Sequence, residues 1–114
     1  MVIGRNVIVS IVTPDGDIDV LAKVDTGAYS SSLDESFFKE LNLDEKIIKN
    51  KMIRNVHGEE SRDVYDIDFI VKGIKISSEL NIFNRNQMKY KMIIGRQDIK
   101  KLGALVDITK KDKM

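Results

Sequence analysis

The sequence predicts a mainly β domain, a closed or folded-over barrel with a short helix near its C-terminus. Three observations predict it. Apolar and polar residues alternate along most of the chain, the two-residue period of half-buried strands. Turn formers at Pro14-Asp15-Gly16-Asp17, His57-Gly58 and Lys72-Gly73 cut these runs into hairpin arms. Helical spacing is confined to two short stretches, near Leu33–Leu41 and Arg96–Leu102. About seven short strands with this punctuation suit a small barrel.

Val7 to Thr13 is β-branched and apolar, hence a strand, and the Pro-Asp-Gly turn returns it as Ile18 to Val24. In the return arm Ile18, Val20, Ala22 and Val24 share a face, with Asp19, Leu21 and Lys23 opposite. Ser32 and Glu35 have capping-box spacing, and Phe37, Phe38 and Leu41 follow at helical intervals, so a helix is expected over 33–41. Phe37 should join the core and Phe38 the surface. The polar, charge-paired segment 44–51 favours no element and suits a solvated face. Met52 to Val56 and Arg62 to Val71 read as a second hairpin about His57-Gly58, with Tyr65, Ile67, Phe69 and Val71 on one face. After Lys72-Gly73, Ile74, Ile76, Leu80 and Ile82 alternate with polar positions up to Phe83. A polar loop at 84–89 leads to a strand over 90–94, a helix over 96–102 closed by Gly103, and a last strand over 104–108. Residues 110–114 form a charged tail expected to fray.

The 114 residues and 13.0 kDa suit one domain spanning 1–114. A chain this short buries only about two thirds of its unfolded surface, so its core is thin and a partner chain would help it. Nineteen basic and eighteen acidic residues leave a net charge of +1 with both signs interspersed, which speaks against nucleic acid and anionic membranes as partners. No apolar run nears the ~20 residues of a membrane span, and the start lacks signal-peptide features. These features point to the cytoplasm. The absence of cysteine excludes disulfides, thiolate metal sites and thiol nucleophiles. A single histidine excludes a multi-histidine zinc site within one chain. Neither a metal nor a cofactor is expected.

Asp25-Thr26-Gly27-Ala28 ends the second strand. Asp-Thr-Gly can simply open a turn. Its apolar surroundings, however, predict a partly buried Asp25, which is costly unless hydrogen-bonded or functional. Gly27 allows close backbone approach, and Thr26 can hydrogen-bond laterally. About seventy residues later stands Met92-Ile93-Ile94-Gly95-Arg96, an apolar strand and glycine before a short helix.

This pair of segments resembles the retropepsin-like aspartic proteases in order and spacing, over residues 5–108. The resemblance narrows at 22–33, Ala-Lys-Val-Asp-Thr-Gly-Ala-Tyr-Ser-Ser-Ser-Leu, and at 85–90 with Ile94-Gly95-Arg96 and Leu105-Val106-Asp107. These are similar to the bacterial and archaeal family named ATP-dependent zinc proteases, associated with ATP-grasp peptide ligases. The zinc of that name finds no ligand set here.

The resemblance implies an aspartic endopeptidase acting as a homodimer on a peptide or protein substrate, with catalytic Asp25, Thr26 and Gly27. It places Ala28, Tyr29, His57, Gly58 and Ile94 against substrate, and Ile93, Gly95 and Arg96 as structural support. His57 and Gly58 form the tip of the presumed flap, although a lone turn histidine is more often simply solvated. Three departures stand out. Viral retropepsins carry an acidic residue where Tyr29 stands, leaving Arg96 to find another partner. Their flaps are glycine-rich, whereas this one has only Gly58. Their dimers are tied by terminal strands, whereas this N-terminus is short and the C-terminus is lysine-rich. Two other readings keep the fold: a non-proteolytic binding or dimerisation module, and a peptide hydrolase partnered with an ATP-grasp ligase on a short acidic tail.

Overall fold

The computed structural model describes residues 1–43, 49–56, 58–84 and 89–114. Its strands are β1 (Val2–Ile3), β2 (Asn6–Thr13), β3 (Gly16–Val24), β4 (Ser32–Asp34), β5 (Lys49–Asn55), β6 (Gly58–Val71), β7 (Ile74–Phe83), β8 (Met92–Ile94) and β9 (Leu105–Val106). Its helices are α1 (Glu35–Glu40) and α2 (Arg96–Lys101). The strand order β2-β3-β8-β4-β7-β6 closes on itself because β2 also pairs with β6, at Ser10↔Ile70 and Ile11↔Phe69. The expected closed, mainly β barrel is borne out. Strand β5 hangs on the open edge of β6 and extends the hairpin beyond the barrel.

The inward faces follow the sequence period. Val7, Val9 and Ile11 of β2, Ala22 and Val24 of β3, and Tyr65, Ile67, Phe69 and Val71 of β6 are buried together with Leu33, Leu80, Met92 and Ile94. Each such side chain contributes about 1.5–3 kcal/mol on leaving water. Phe38 stacks against Tyr65 with ring centroids 4.5 Å apart. Both Phe37 and Phe38 are therefore core, against the expectation of one surface member.

Several boundaries differ from the sequence reading. Residues 32–34 form β4, held between β7 and β8, and α1 starts only at Glu35. Asp34 rather than Ser32 caps it, its carboxylate accepting from Phe37 N–H at 3.2 Å. Ser32 is unavailable as a cap because its hydroxyl donates to buried Asn81 at 2.8 Å. The second hairpin reaches back to Lys49 and forward through Gly58, so its arms outrun the apolar stretches. Ile74, the first apolar position of the alternating run, is exposed at the β6–β7 turn. Much of the polar segment 44–51 and of the loop at 84–89 lies outside the described residues.

The termini are ordered by their own chain. Strand β1 runs parallel to β9, pairing Val2 with Leu105 and Ile3 with Val106. The tail expected to fray from 110 is tied down instead. Arg5 N–H donates to the Lys110 carbonyl at 2.9 Å, and the Asp112 carboxylate accepts from Ile8 N–H at 2.9 Å. Asp112 N–H reaches the Asn6 side chain at 2.7 Å. Among the described residues no helix is long and apolar enough to cross a membrane.

Candidate active site

Strands β3 and β8 lie parallel in the register Val24↔Ile94. That register brings Asp25 and Gly95, seventy positions apart, side by side at the ends of their strands. Asp25 N–H donates to the Ile94 carbonyl at 2.9 Å, continuing the ladder by one bond. The chain then turns through 25–31. Ala28 N–H closes the turn on the Asp25 carbonyl at 3.1 Å, and Gly27 N–H donates to Asp25 Oδ1 at 3.0 Å. The Asp25 side chain is half-buried, as expected, while Thr26 and Gly27 are exposed. The hydrogen bond from Gly27 N–H fixes one oxygen of the Asp25 carboxylate.

Helix α2 holds this turn from behind. Its N-cap residue, Gly95, has no side chain with which to cap. The first free amides of the helix are satisfied by the turn itself, Arg96 N–H to the Ala28 carbonyl at 2.8 Å and Gln97 N–H to the Tyr29 carbonyl at 3.1 Å. Only glycine fits at 95, since a Cβ there would lie 2.5 Å from the Ser30 carbonyl oxygen. Arg96 finds the partner its sequence position left open. Its guanidinium donates to the Thr26 carbonyl at 3.0 Å and lies 5.8 Å from the Tyr29 ring centre. Gln97 donates to the Tyr29 hydroxyl at 2.8 Å, and Lys51 of β5 lies over the same ring at 5.2 Å.

A cleft of about 480 Å³ opens over this turn, bounded on one side by residues 51–54 of β5. Asp25, Gly27, Ala28, Tyr29 and Arg96 line it. Ile93 and Ile94 exchange their expected places. Ile93 lines the cleft, whereas Ile94 is fully buried and cannot meet a substrate. The alternation of β8 is the reason, since its inward positions are Met92 and Ile94. Gly58 stands at the far end of the β5–β6 hairpin with φ of 118°, a left-handed backbone that glycine tolerates. His57 lies outside the described residues.

Sequence reading missed the polar floor of the cleft. Asn81, buried in β7, accepts from Ser32 and from Arg62 at 2.8 Å each, and donates to Ser30 at 3.1 Å and to the Ser31 carbonyl at 3.0 Å. Arg62 also pairs with Glu60. A polar residue inside the apolar run Leu80 to Phe83 was the available signal. The cleft lining carries four cations, Lys51, Arg54, Arg62 and Arg96, against one anion, Asp25. Arg54 has its own counter-charge in Glu59 at 2.7 Å.

Among the described residues, no three His, Cys, Asp or Glu side chains gather into a group that could hold a metal ion. The described residues of this site do not supply the donor set that a zinc enzyme requires.

Comparison with known proteins agrees with the fold. The chain is similar in structure to EIAV protease complexed with the inhibitor HBY-793, with a TM-score of 0.75 and 22% identity over 93% of this chain and 94% of that one. It is also similar to Lpg0085, a protein of unknown function from Legionella pneumophila subsp. pneumophila str. Philadelphia 1, with a TM-score of 0.69 and 19% identity over 96% and 95%. A family described as RimB-like, retropepsin-like aspartic endopeptidase RimB, matches residues 38–113. That match begins after the Asp-Thr-Gly turn and does not include Asp25, Thr26 or Gly27. The chain belongs to the RimB-like family of retropepsin-like aspartic endopeptidases.

Proposed function

We propose that this protein is an aspartic endopeptidase that works as a two-fold symmetric homodimer, each chain supplying one Asp25. The observation that carries this reading is a half-buried carboxylate on an exposed Asp-Thr-Gly turn, one oxygen held by Gly27 N–H, at the floor of a cleft beneath a hairpin. One such turn per chain makes half a site. Two turns meeting at an axis through Thr26 and Gly27 bring the carboxylates close enough to share one proton, because neighbouring like charges resist joint ionisation. Aspartic proteases are the standard example of this sharing.

The ionised Asp25 takes a proton from water, whose oxygen attacks the scissile carbonyl carbon. The protonated Asp25 gives its proton to the carbonyl oxygen, forming a neutral tetrahedral diol. One carboxyl then protonates the amide nitrogen while the ionised one takes a proton from a diol hydroxyl. The C–N bond breaks, an amine and a carboxylic acid leave, and the pair again holds one proton. No covalent enzyme intermediate forms. The cleft walls hold the peptide extended, pairing its backbone by strand addition. The viral dimer tie through terminal strands is not available in the same form, because β1 and β9 already pair within one chain.

A second, narrower reading concerns the substrate. With Arg54 and Arg62 paired to Glu59 and Glu60, Lys51 and Arg96 are set against Asp25 in the cleft. These two cations favour a carboxylate-rich segment, such as the acidic tail a peptide ligase builds. Cleavage of glutamate-rich, neutral and lysine-rich peptides by wild type and Asp25→Asn tests both readings. Preference for the acidic peptide, lost in Asp25→Asn, supports them. Binding without cleavage by both proteins would instead make the domain a binding module. Equal cleavage by both proteins would remove Asp25 from the chemistry.

A further inference from the structure

Helix α2 carries a carboxylate on its buried face. Asp98 is 1% exposed, and its neighbours Ile99 and Leu102 are buried as well. Its Oδ2 accepts from Ser31 Oγ at 2.5 Å and from Ser78 Oγ at 2.7 Å. Its Oδ1 has no hydrogen-bond partner among the described residues, and Lys101 Nζ stays 4.0 Å away. A buried carboxylate satisfied on one side only costs stability, and packing alone would be better served by an apolar residue of similar size.

Ser31 shows what that cost sustains. It is fully buried, and its hydroxyl donates to Asp98 while accepting from Gly95 N–H at 3.0 Å. The hydroxyl has one proton, so donating to Asp98 leaves its lone pairs turned toward Gly95 N–H. Gly95 is the residue whose close approach to Ser30 seats the helix against the turn. The chain of bonds thus runs Asp98 to Ser31 to Gly95, and onward through Arg96 and Gln97 N–H to the carbonyls of Ala28 and Tyr29. Ser78 joins the same carboxylate from β7, and its hydroxyl donates to Asp98 rather than to the turn.

We propose that Asp98 is a positioning residue, which orients the Ser31 hydroxyl and through it fixes the 25–31 turn that carries Asp25. The catalytic part of this inference rests on the endopeptidase reading above; the positioning part does not. Displacing a reacting group by about 1 Å can cost about 10²-fold in rate, so a buried clamp behind the turn bears on turnover more than on substrate affinity.

The test uses the full chain and four variants, Ser31→Ala, Ser78→Ala, Asp98→Leu and Asp98→Asn. Two readouts are taken, kcat and KM on a synthetic glutamate-rich peptide, and amide hydrogen exchange at Asp25, Arg96 and Gln97. The two serine variants each remove one bond to the same oxygen. Ser31→Ala is expected to lower kcat about 10²-fold with KM unchanged and to speed exchange at all three amides. Ser78→Ala is expected to lower the melting temperature while leaving kcat and those amides alone. Asp98→Leu removes the acceptor and is expected to reproduce the kcat loss and faster exchange of Ser31→Ala. Asp98→Asn keeps an acceptor oxygen for both serines and is expected to keep kcat and slow exchange. Equal kcat loss in the two serine variants, or unchanged exchange in Ser31→Ala or Asp98→Leu, would overturn the proposal. Absence of turnover in wild type would sink the endopeptidase reading alone, and the exchange pattern would still decide the role of Asp98.

Discussion

Arg96 and Thr26, seventy positions apart, are joined by a single hydrogen bond of 3.0 Å from the guanidinium to the backbone carbonyl. Viral retropepsins place an acidic side chain where this protein has Tyr29, and the arginine here binds backbone and stacks on the Tyr29 ring instead. A carbonyl and an aromatic face replace a carboxylate as the acceptors of the same cation. Charge neutralisation is given up, and the turn after Asp25 keeps its anchor.

Arg96→Ala should therefore loosen the turn while sparing the barrel. The bond and the stacking are exposed, so the expected loss is about 1 kcal/mol in urea denaturation. Arg96→Lys should recover little of it, since an ammonium lacks the planar fork that reaches a carbonyl and covers a ring together. Full recovery by lysine would show that charge alone matters here.

Gly95→Ala tests the close approach of α2 to the turn. A methyl group at 95 meets the Ser30 backbone rather than a side chain that could swing away. Peptide cleavage should fall sharply, with a smaller fall in melting temperature. An active, stable Gly95→Ala would mean that the two segments are free to separate.

The barrel closure is tested at Phe69, which is fully buried where β6 meets β2. Phe69→Ala should cost about 3–5 kcal/mol, enough to threaten folding of a small domain. Ile74→Ala, at an exposed turn, should cost far less by the same measurement. Similar losses at both positions would contradict the core assignment.

Two surface carboxyls give the acid dependence a direction. Hydrogen bonds from Thr109 hold the Asp107 carboxyl below the usual carboxylate range, and a hydrogen bond from Lys49 does the same for Glu79. Each contributes stability above its unfolded pKa, about 4, and loses it as pH falls through the lower folded value. The Tm gap between wild type and the pair Asp107→Asn, Glu79→Gln should thus be largest near neutrality and close below about pH 4. It should also shrink with added salt, because both groups are exposed. A gap that widens in acid would reverse the assignment.

The barrel and the Asp-Thr-Gly turn were legible because each leaves a local trace. Alternation marks β2, β3 and β6, and a motif marks Asp25. What escaped depends on distant partners. Strand β1 has two residues, too few to show a period, and of the strand expected over 104–108 only Leu105–Val106 forms. The start of β5 is polar because it belongs to a projecting hairpin and packs on no core. Ile93 and Ile94 look alike in sequence, and only the register of β8 between β3 and β4 decides which one faces the cleft. Asn81 and Asp98 are polar positions on apolar faces, a signal present in the sequence whose meaning needed Ser31 and Ser32 beside them. The terminal tail looked free because its charges gave no hint that Asp112 would accept from Ile8 N–H.

The most direct test of the shared-dyad account is a mixing experiment. Wild type and Asp25→Asn are combined at constant total protein, allowed to exchange subunits, and assayed for peptide cleavage. If each active site needs two Asp25 carboxylates, the rate should fall as the square of the wild-type fraction, with nothing left in pure Asp25→Asn. A rate that falls in simple proportion to the wild-type fraction would contradict the account, because one Asp25 would then suffice.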